Sequence, residues 1–256
     1  MKIGVLLKQV PDTETKIRSK ADGSGIETDG IKYIVSPYCE FAIEEGIKIK
    51  EKNAGSEVTV ITMSPARGVD ALRTALAMGA DKAIHIDDEG QALDSYLTAK
   101  ILAKVIQDNA FDVVLSGKQA IDQDAGQVTQ QVAEFLGWPQ VTIVEKIEFN
   151  GSNAAVTRRV SGGAKEVYDV ALPAIFACEK GLNTPRYASL PGIMKAKSKP
   201  VQQLKASALK GDAATKVTYG NFRLPPEKAP GKIIPGEPEA AVKELVKLLR
   251  EEAKVI

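Results

Sequence analysis

The chain has 256 residues, 44% of them hydrophobic, enough to bury a substantial core as one large domain or as a main domain with an appendage. Its 34 basic and 33 acidic residues leave a formal charge of +1, so nothing in the overall balance points to nucleic acid. One histidine rules out His-rich metal sites and argues against a Ser-His-Asp triad, while Cys39 and Cys178 fit no metal-ligand spacing and suit a reducing compartment.

Residues 3–10, IGVLLKQV, form an apolar run ended by Pro11 and predict a buried strand. FAIEEGIKIKEKNAG, 41–55, sets Phe41, Ile43, Ile47 and Ile49 among charges at helical spacing and stops at Asn53 and Gly55. EVTVITM, 57–63, is a β-prone run leading into the helical pattern SPARGVDALRTALAMGA, with Ser64 and Pro65 read as N-cap and first-turn proline. KAIHI, 82–86, is another strand, in which His85 is expected to be a sheet residue with a satisfied ring. LDSYLTAKILAKVIQDN, 93–109, repeats Leu97, Ile101, Leu102 and Val105 at helical spacing, and FDVVLSG, 111–117, is the next strand. Strands apolar nearly throughout, alternating with helices, predict an α/β fold: a mostly parallel sheet with helices on both faces, Rossmann-like in type. No run of 18 apolar residues suggests a membrane span, so no membrane insertion is expected. No targeting leader is evident, so the bacterial cytoplasm is the expected location, with the mitochondrial matrix as the alternative.

After Trp138 and Pro139, VTIVEKIEFNGSNAAVTRRV reads as two strands joined at Asn150 and Gly151, a hairpin signal. GGAKEVYDVALPAIFACE adds two strand-like runs split by Pro173, and 140–181 is expected to be an antiparallel extension or edge of the core. From 182 to 236 the periodicity dissolves into proline-rich sequence, expected to be an extended arm laid along a partner. EPEAAVKELVKLLREEAKVI closes the chain as an amphipathic helix with Val242, Leu245, Val246 and Leu249 on one face. The predicted division is an α/β domain at 1–181, the arm at 182–236 and the C-terminal helix at 237–256.

The turn after FDVVLSG holds the strongest candidate site, because ligands of open parallel sheets bind outside the carboxyl ends of strands. Gly117 permits a tight turn and close approach, Asp122 and Asp124 can cap the next helix, and N–H groups from Ala125 to Val128 favour an anion. Lys118 adds a positive charge, and the two aspartates alone make a poor metal cage, so no metal is expected. The same features also describe an ordinary strand-to-helix turn with an aspartate cap, and the residues by themselves leave both readings open.

Five ordered blocks add to this: KQVPD at 8–12, SPYCEFAIEE at 36–45, LRTALAMGAD at 72–81, GKQAIDQDAGQV at 117–128 and NTPRYASLPGIMKAK at 183–197. In order and spacing they resemble the β subunit of the electron-transfer flavoproteins, over residues 1–200. The resemblance implies an electron carrier subunit without catalytic residues that binds AMP structurally. The grip on AMP would come from Leu6 and from Ser36, Pro37, Tyr38 and Cys39. Met63 would join them, with the loop of Gly117, Lys118, Gln119, Ala120, Ile121 and Asp122, continuing through Gln123, Asp124, Ala125, Gly126, Gln127 and Val128. It also implies an α subunit partner holding FAD, part of whose face this chain covers with Tyr38. The block at 183–197 would dock on acyl-CoA and related dehydrogenases, with Leu190 as anchor among Pro191, Ile193, Met194 and Lys195, and Arg186 and Tyr187 as props. A quinone reductase would accept the electrons downstream.

The chain departs from the family pattern at Thr13, where an aromatic is common, and at Arg159, where an acidic residue is common. Family members that bifurcate electrons carry a second FAD in place of AMP, and AIDQDAGQV sits between the two loop types. Tyr38 and Cys39 favour AMP. Rival readings are an adenine-nucleotide-hydrolysing enzyme on the same scaffold, such as an ATP pyrophosphatase, and a stress-type ATP-binding homodimer. VLLKQVPDTE lacks the glycine- and serine-rich loop the first of these needs.

Overall fold

The structure is a computed structural model that describes residues 1–91, 93–228 and 230–256. Ala229, inside the predicted arm, lies outside the described residues. The chain divides into two units, residues 1–17 with 27–220, and residues 18–26 with 221–256.

In the larger unit the chain runs β1 (Lys2–Leu6), β2 (Gln9–Pro11), β3 (Tyr33–Val35), α1 (Pro37–Lys52) and β4 (Glu57–Ser64). It continues through α2 (Val69–Met78), β5 (Lys82–Asp87), α3 (Ser95–Asn109), β6 (Val113–Gly117), α4 (Val128–Leu136), β7 (Gln140–Asn150) and β8 (Asn153–Arg159). β9 (Lys165–Ala171), β10 (Ala174–Cys178), α5 (Leu190–Ala196), β11 (Val201–Lys205) and α6 (Ala206–Leu209) complete it. Nine strands form one sheet in the order β11-β5-β4-β1-β6-β10-β7-β8-β9, and β2 and β3 pair separately and antiparallel. The sheet is parallel from β11 to β7 and antiparallel at β7-β8 and β8-β9.

Successive strand residues point to opposite faces, and both faces are covered, which is why the parallel strands read as apolar throughout. Ile3, Val5, Val58 and Val60 pack with Ile43 and Ile47 of α1 and Leu72 and Leu76 of α2 on one face. Leu6, Ile61 and Val114 pack with Ile101 and Val105 of α3 and Val132 of α4 on the other. No described helix is long and apolar enough to cross a membrane.

Three expectations are corrected. β10 is a fully buried strand between β6 and β7, inside the parallel core and not in an antiparallel edge. The stretch 190–209, expected to be aperiodic, holds α5, β11 and α6, with β11 pairing along β5. Ser64 is the last residue of β4 and caps nothing; a 3-10 turn at Ala66–Gly68 precedes α2, and an alanine Cβ at Gly68 would fall 1.8 Å from Ser64 Oγ. As expected, His85 is 2% exposed with both ring nitrogens engaged, Nδ1 by Gln203 Oε1 at 2.6 Å and Nε2 by the Ser64 carbonyl at 3.0 Å.

The smaller unit contains α7 (Pro238–Glu251), an isolated bridge between Ser19 and Ile26, and a bond from Phe222 N–H to the Gly23 carbonyl at 3.0 Å. Val242, Leu245 and Val246 of α7 are all exposed.

Candidate functional site

The chain moves from β1 outward to β4 and β5, then returns to β6 on the other side of β1. That reversal leaves a crevice at the carboxyl ends of β1 and β6, where no crossover helix can cover both. A cavity of about 330 Å³ opens there, within the range of small-ligand sites. Leu6, Leu7 and Lys8 border it from the end of β1, Ile61 and Met63 from β4, Ser116 and Gly117 from β6, and Cys39 from α1. Lys118, Gln119, Ala120, Gln123, Ala125, Gly126, Gln127 and Val128 border it from the following loop.

The remaining positions singled out in the sequence stand behind this lining. Ser36 is fully buried before α1, its N–H donating to the Lys8 carbonyl at 2.9 Å, its hydroxyl without a hydrogen-bond partner. Pro37 begins α1, and the Tyr38 ring lies 4.7 Å from Lys118 Nζ. Ile121, Asp122 and Asp124 do not line the cavity. The expected aspartate caps are absent: Gln127 occupies the N-cap of α4, its side chain accepting from Ser95 Oγ at 2.7 Å and not from the helix, so the first N–H groups of α4 have no side-chain cap. Asp122 takes Lys8 at 2.7 Å, and Asp124, in a left-handed conformation with φ 50°, takes the Gln119 amide at 2.8 Å. Lys118 is not a free charge, because Glu179, 4% exposed at its side chain, holds it at 2.5 Å and raises its pKa. Cys39 is buried and its thiol pKa is pushed up by that burial, consistent with a packing residue.

Sequence reasoning missed Lys8, Asp88, Gln91, Asp94, Thr129 and Tyr219, all of which border the cavity. Only the spacing DSYL, a recognisable N-cap pattern, could have drawn attention to Asp94. Its buried carboxylate accepts from Leu97 N at 2.8 Å, capping α3, and from the N–H groups of Lys216 and Val217, fixing the segment that brings Tyr219 to the cavity. Burial by itself raises the pKa of this group, yet the N–H donors outweigh it and hold Asp94 below its ordinary 3.8. A lowered folded pKa adds stability that is present above the ordinary carboxylate range and is lost as pH falls through the folded value. Asp94→Asn turns an acceptor into a donor facing two N–H groups, and urea unfolding at pH 7 is expected to show a loss of about 2 kcal/mol. That loss should shrink as pH falls below the ordinary carboxylate range and through the lowered folded value, where the wild-type carboxyl takes up its proton. An undiminished difference at low pH would contradict the assignment.

On α1, the side of the molecule that carries the block at 183–197, Arg186 grips Glu44 through Nε at 2.8 Å and Nη2 at 2.9 Å, and Glu51 through Nη1 at 2.6 Å. Asn183 bonds the Phe41 carbonyl and Glu45. Ser189 caps α5 by accepting from Gly192 N at 3.1 Å, and a Cβ at Gly192 would stand 2.3 Å from the Ala77 carbonyl, so α5 lies directly on the end of α2. Arg73 donates to the carbonyls of Ala196 and Lys199, and Lys199 donates to the carbonyls of Leu76 and Ala80. Lys199 is thereby a cap on α2. From this clamped base Leu190, Ile193 and Met194 project, at 75%, 45% and 61% exposure, with Pro191 and Lys195 also exposed. Tyr187 is 98% exposed and props nothing.

The fold and the crevice define a doubly wound α/β protein with a ligand-sized cavity at its topological switch point. The family model for the electron transfer flavoprotein domain matches residues 24–209. The chain is 43% identical over 261 residues to the electron transfer flavoprotein subunit beta of Bacillus subtilis, covering 100% of both chains. It is 41% identical over 258 residues to the mitochondrial subunit beta of Arabidopsis thaliana, again over the whole of both, and 40% identical over 234 residues to that of Homo sapiens, over 90% and 91%. The chain belongs to the electron transfer flavoprotein beta subunit family.

Proposed function

We propose that this chain is the non-catalytic half of a two-subunit electron carrier. It holds AMP as a structural plug at the β1/β6 switch point and covers part of an FAD carried by an α subunit. It docks on acyl-CoA and related dehydrogenases through α5, in a cytoplasmic setting, and a quinone reductase takes the electrons on. The observation that carries the reading is the cavity, bordered together by the end of β1, the end of β6 and the uncapped start of α4. Its residues fit an adenine mononucleotide: Leu6, Ile61, Met63 and Leu102 offer an apolar floor for a base, and the α4 N–H groups offer donors for a phosphate. The volume of about 330 Å³ favours a mononucleotide over a second FAD.

The flavin supplies the redox chemistry, and the residues of this chain contribute by shape and exclusion of water. No side chain is assigned as acid, base or nucleophile. The apolar projection of α5 supports docking, since a leucine on a clamped helix loses little entropy on entering a partner's pocket. The test is purification of the chain alone and co-expressed with an α subunit from the same genome. Alone it should be colourless, and together the two should elute as a yellow one-to-one complex. A chain that is yellow by itself would favour FAD in the cavity, and failure to form the complex would refute the carrier reading.

A further inference from the structure

Two lysines border the cavity, and their ammonium groups are held in different ways. Lys118 is committed, since its partner Glu179 is buried, and withdrawing the lysine would leave that carboxylate with only the Lys180 N–H at 2.8 Å and Arg159 at 3.8 Å. Lys8 is paired instead with Asp122 of the loop, at 2.7 Å to Oδ2 and 3.0 Å to Oδ1, both side chains being partly solvated. An exposed pair of this kind contributes little to stability, and Asp122 can be rehydrated when its partner turns elsewhere. The backbone of Lys8 is fixed, its carbonyl taking the N–H of Ser36 and its chain following directly on β1. Of the two cations, Lys8 is therefore the one available to an anion in the cavity.

We propose that Lys8 reads the negative charge of the bound nucleotide, its ammonium being shared between Asp122 and the ligand's phosphate. The inference rests on the adenine-mononucleotide reading above and adds to it the residue that separates a nucleotide from its nucleoside. Because Asp122 belongs to the loop over the cavity, the same ammonium ties the position of that loop to the charge of the ligand. The helix N-terminus of α4 supplies oriented N–H groups, and Lys8 supplies the full charge beside them.

Equilibrium dialysis of the full chain, refolded from denaturant with either AMP or adenosine, tests this. Wild type should prefer AMP. Lys8→Met, which keeps the apolar stem, should lose about tenfold in AMP affinity while adenosine changes by less than about twofold. Lys8→Arg should retain most of the preference, and should do so even if the methionine variant fails to refold. An unchanged ratio of AMP to adenosine in Lys8→Met, an equal loss of both ligands, or collapse of the preference in Lys8→Arg would overturn the assignment. Wild type that binds adenosine as tightly as AMP would overturn it too and leave an adenine site standing, whereas wild type that binds neither would remove the nucleotide reading itself.

Discussion

Replacing Gly117 by alanine is expected to lower stability by about 3 kcal/mol and, on the proposed function, to lower the nucleotide content of the cavity. The added Cβ would lie 2.7 Å from Tyr38 C, 2.8 Å from Cys39 N and 2.8 Å from Tyr38 Cβ. Two of these atoms are backbone of the first turn of α1, which cannot turn aside as a side-chain tip can. The φ of Gly117 lies outside the left-handed region, so space and not torsion demands glycine here. The end of β6 is also pinned from the far side, where Lys118 N–H donates to the Cys178 carbonyl at 3.0 Å, so the strand cannot shift to make room. The start of α1 must move instead, and with it Cys39 at the cavity wall. Denaturant unfolding together with nucleotide content measures both effects. Gly25→Ala, where the new methyl meets nothing within 4 Å, serves as the control and should stay within about 0.5 kcal/mol of wild type. Wild-type stability in Gly117→Ala would show that α1 and β6 are less tightly apposed than described.

Arg186→Ala is expected to cost about 3 kcal/mol, because it leaves the carboxylate of Glu44, 4% exposed, without its guanidinium. The pair is bidentate and the same fork reaches Glu51, so lysine should rescue only part of the loss. The second consequence lies in α5: Arg186 is one end of the clamp whose other end is Arg73 on the Ala196 carbonyl. Arg186→Ala should therefore lower both stability and the rate of dehydrogenase-coupled flavin reduction in the two-subunit complex. Leu190→Ala, which removes an exposed side chain, should leave unfolding unchanged and lower the coupled rate alone, by the equivalent of about 2 kcal/mol of docking energy. Equal coupled rates for Leu190→Ala and wild type would remove α5 from the docking surface.

The strands and helices of the parallel core were legible because each carries its own apolar period. Ile43 and Ile47 mark the face of α1, and the unbroken runs of β4 and β6 mark strands buried on both sides. The order of strands was less so. Ala174–Cys178 follows two antiparallel strands in sequence, and nothing local reveals that the chain turns back to lie beside β6. β11 is half-exposed VQQLK after a proline, and pairing with β5 rather than pattern makes it a strand. In the site, the strand-end rule located the loop at 117–128, and Gly117 was recognised as a position of close approach, although the closest atoms belong to α1. Lys8 and Tyr219 escaped because they reach the cavity from segments about a hundred residues from that loop, and Asp94 because its place beside the loop follows from a strand order that sequence does not display. Isolated aspartates before a helix usually cap it; here Lys8 and Gln119 compete successfully for Asp122 and Asp124.

The most direct measurement of the central claim is mass spectrometry of the small molecules released by heat from the complex of this chain with its α subunit, quantified per chain. One AMP and one FAD per pair of chains is the predicted result. Two FAD with no AMP, or FAD with no second nucleotide at all, would contradict the claim that an adenine mononucleotide plugs the β1/β6 crevice.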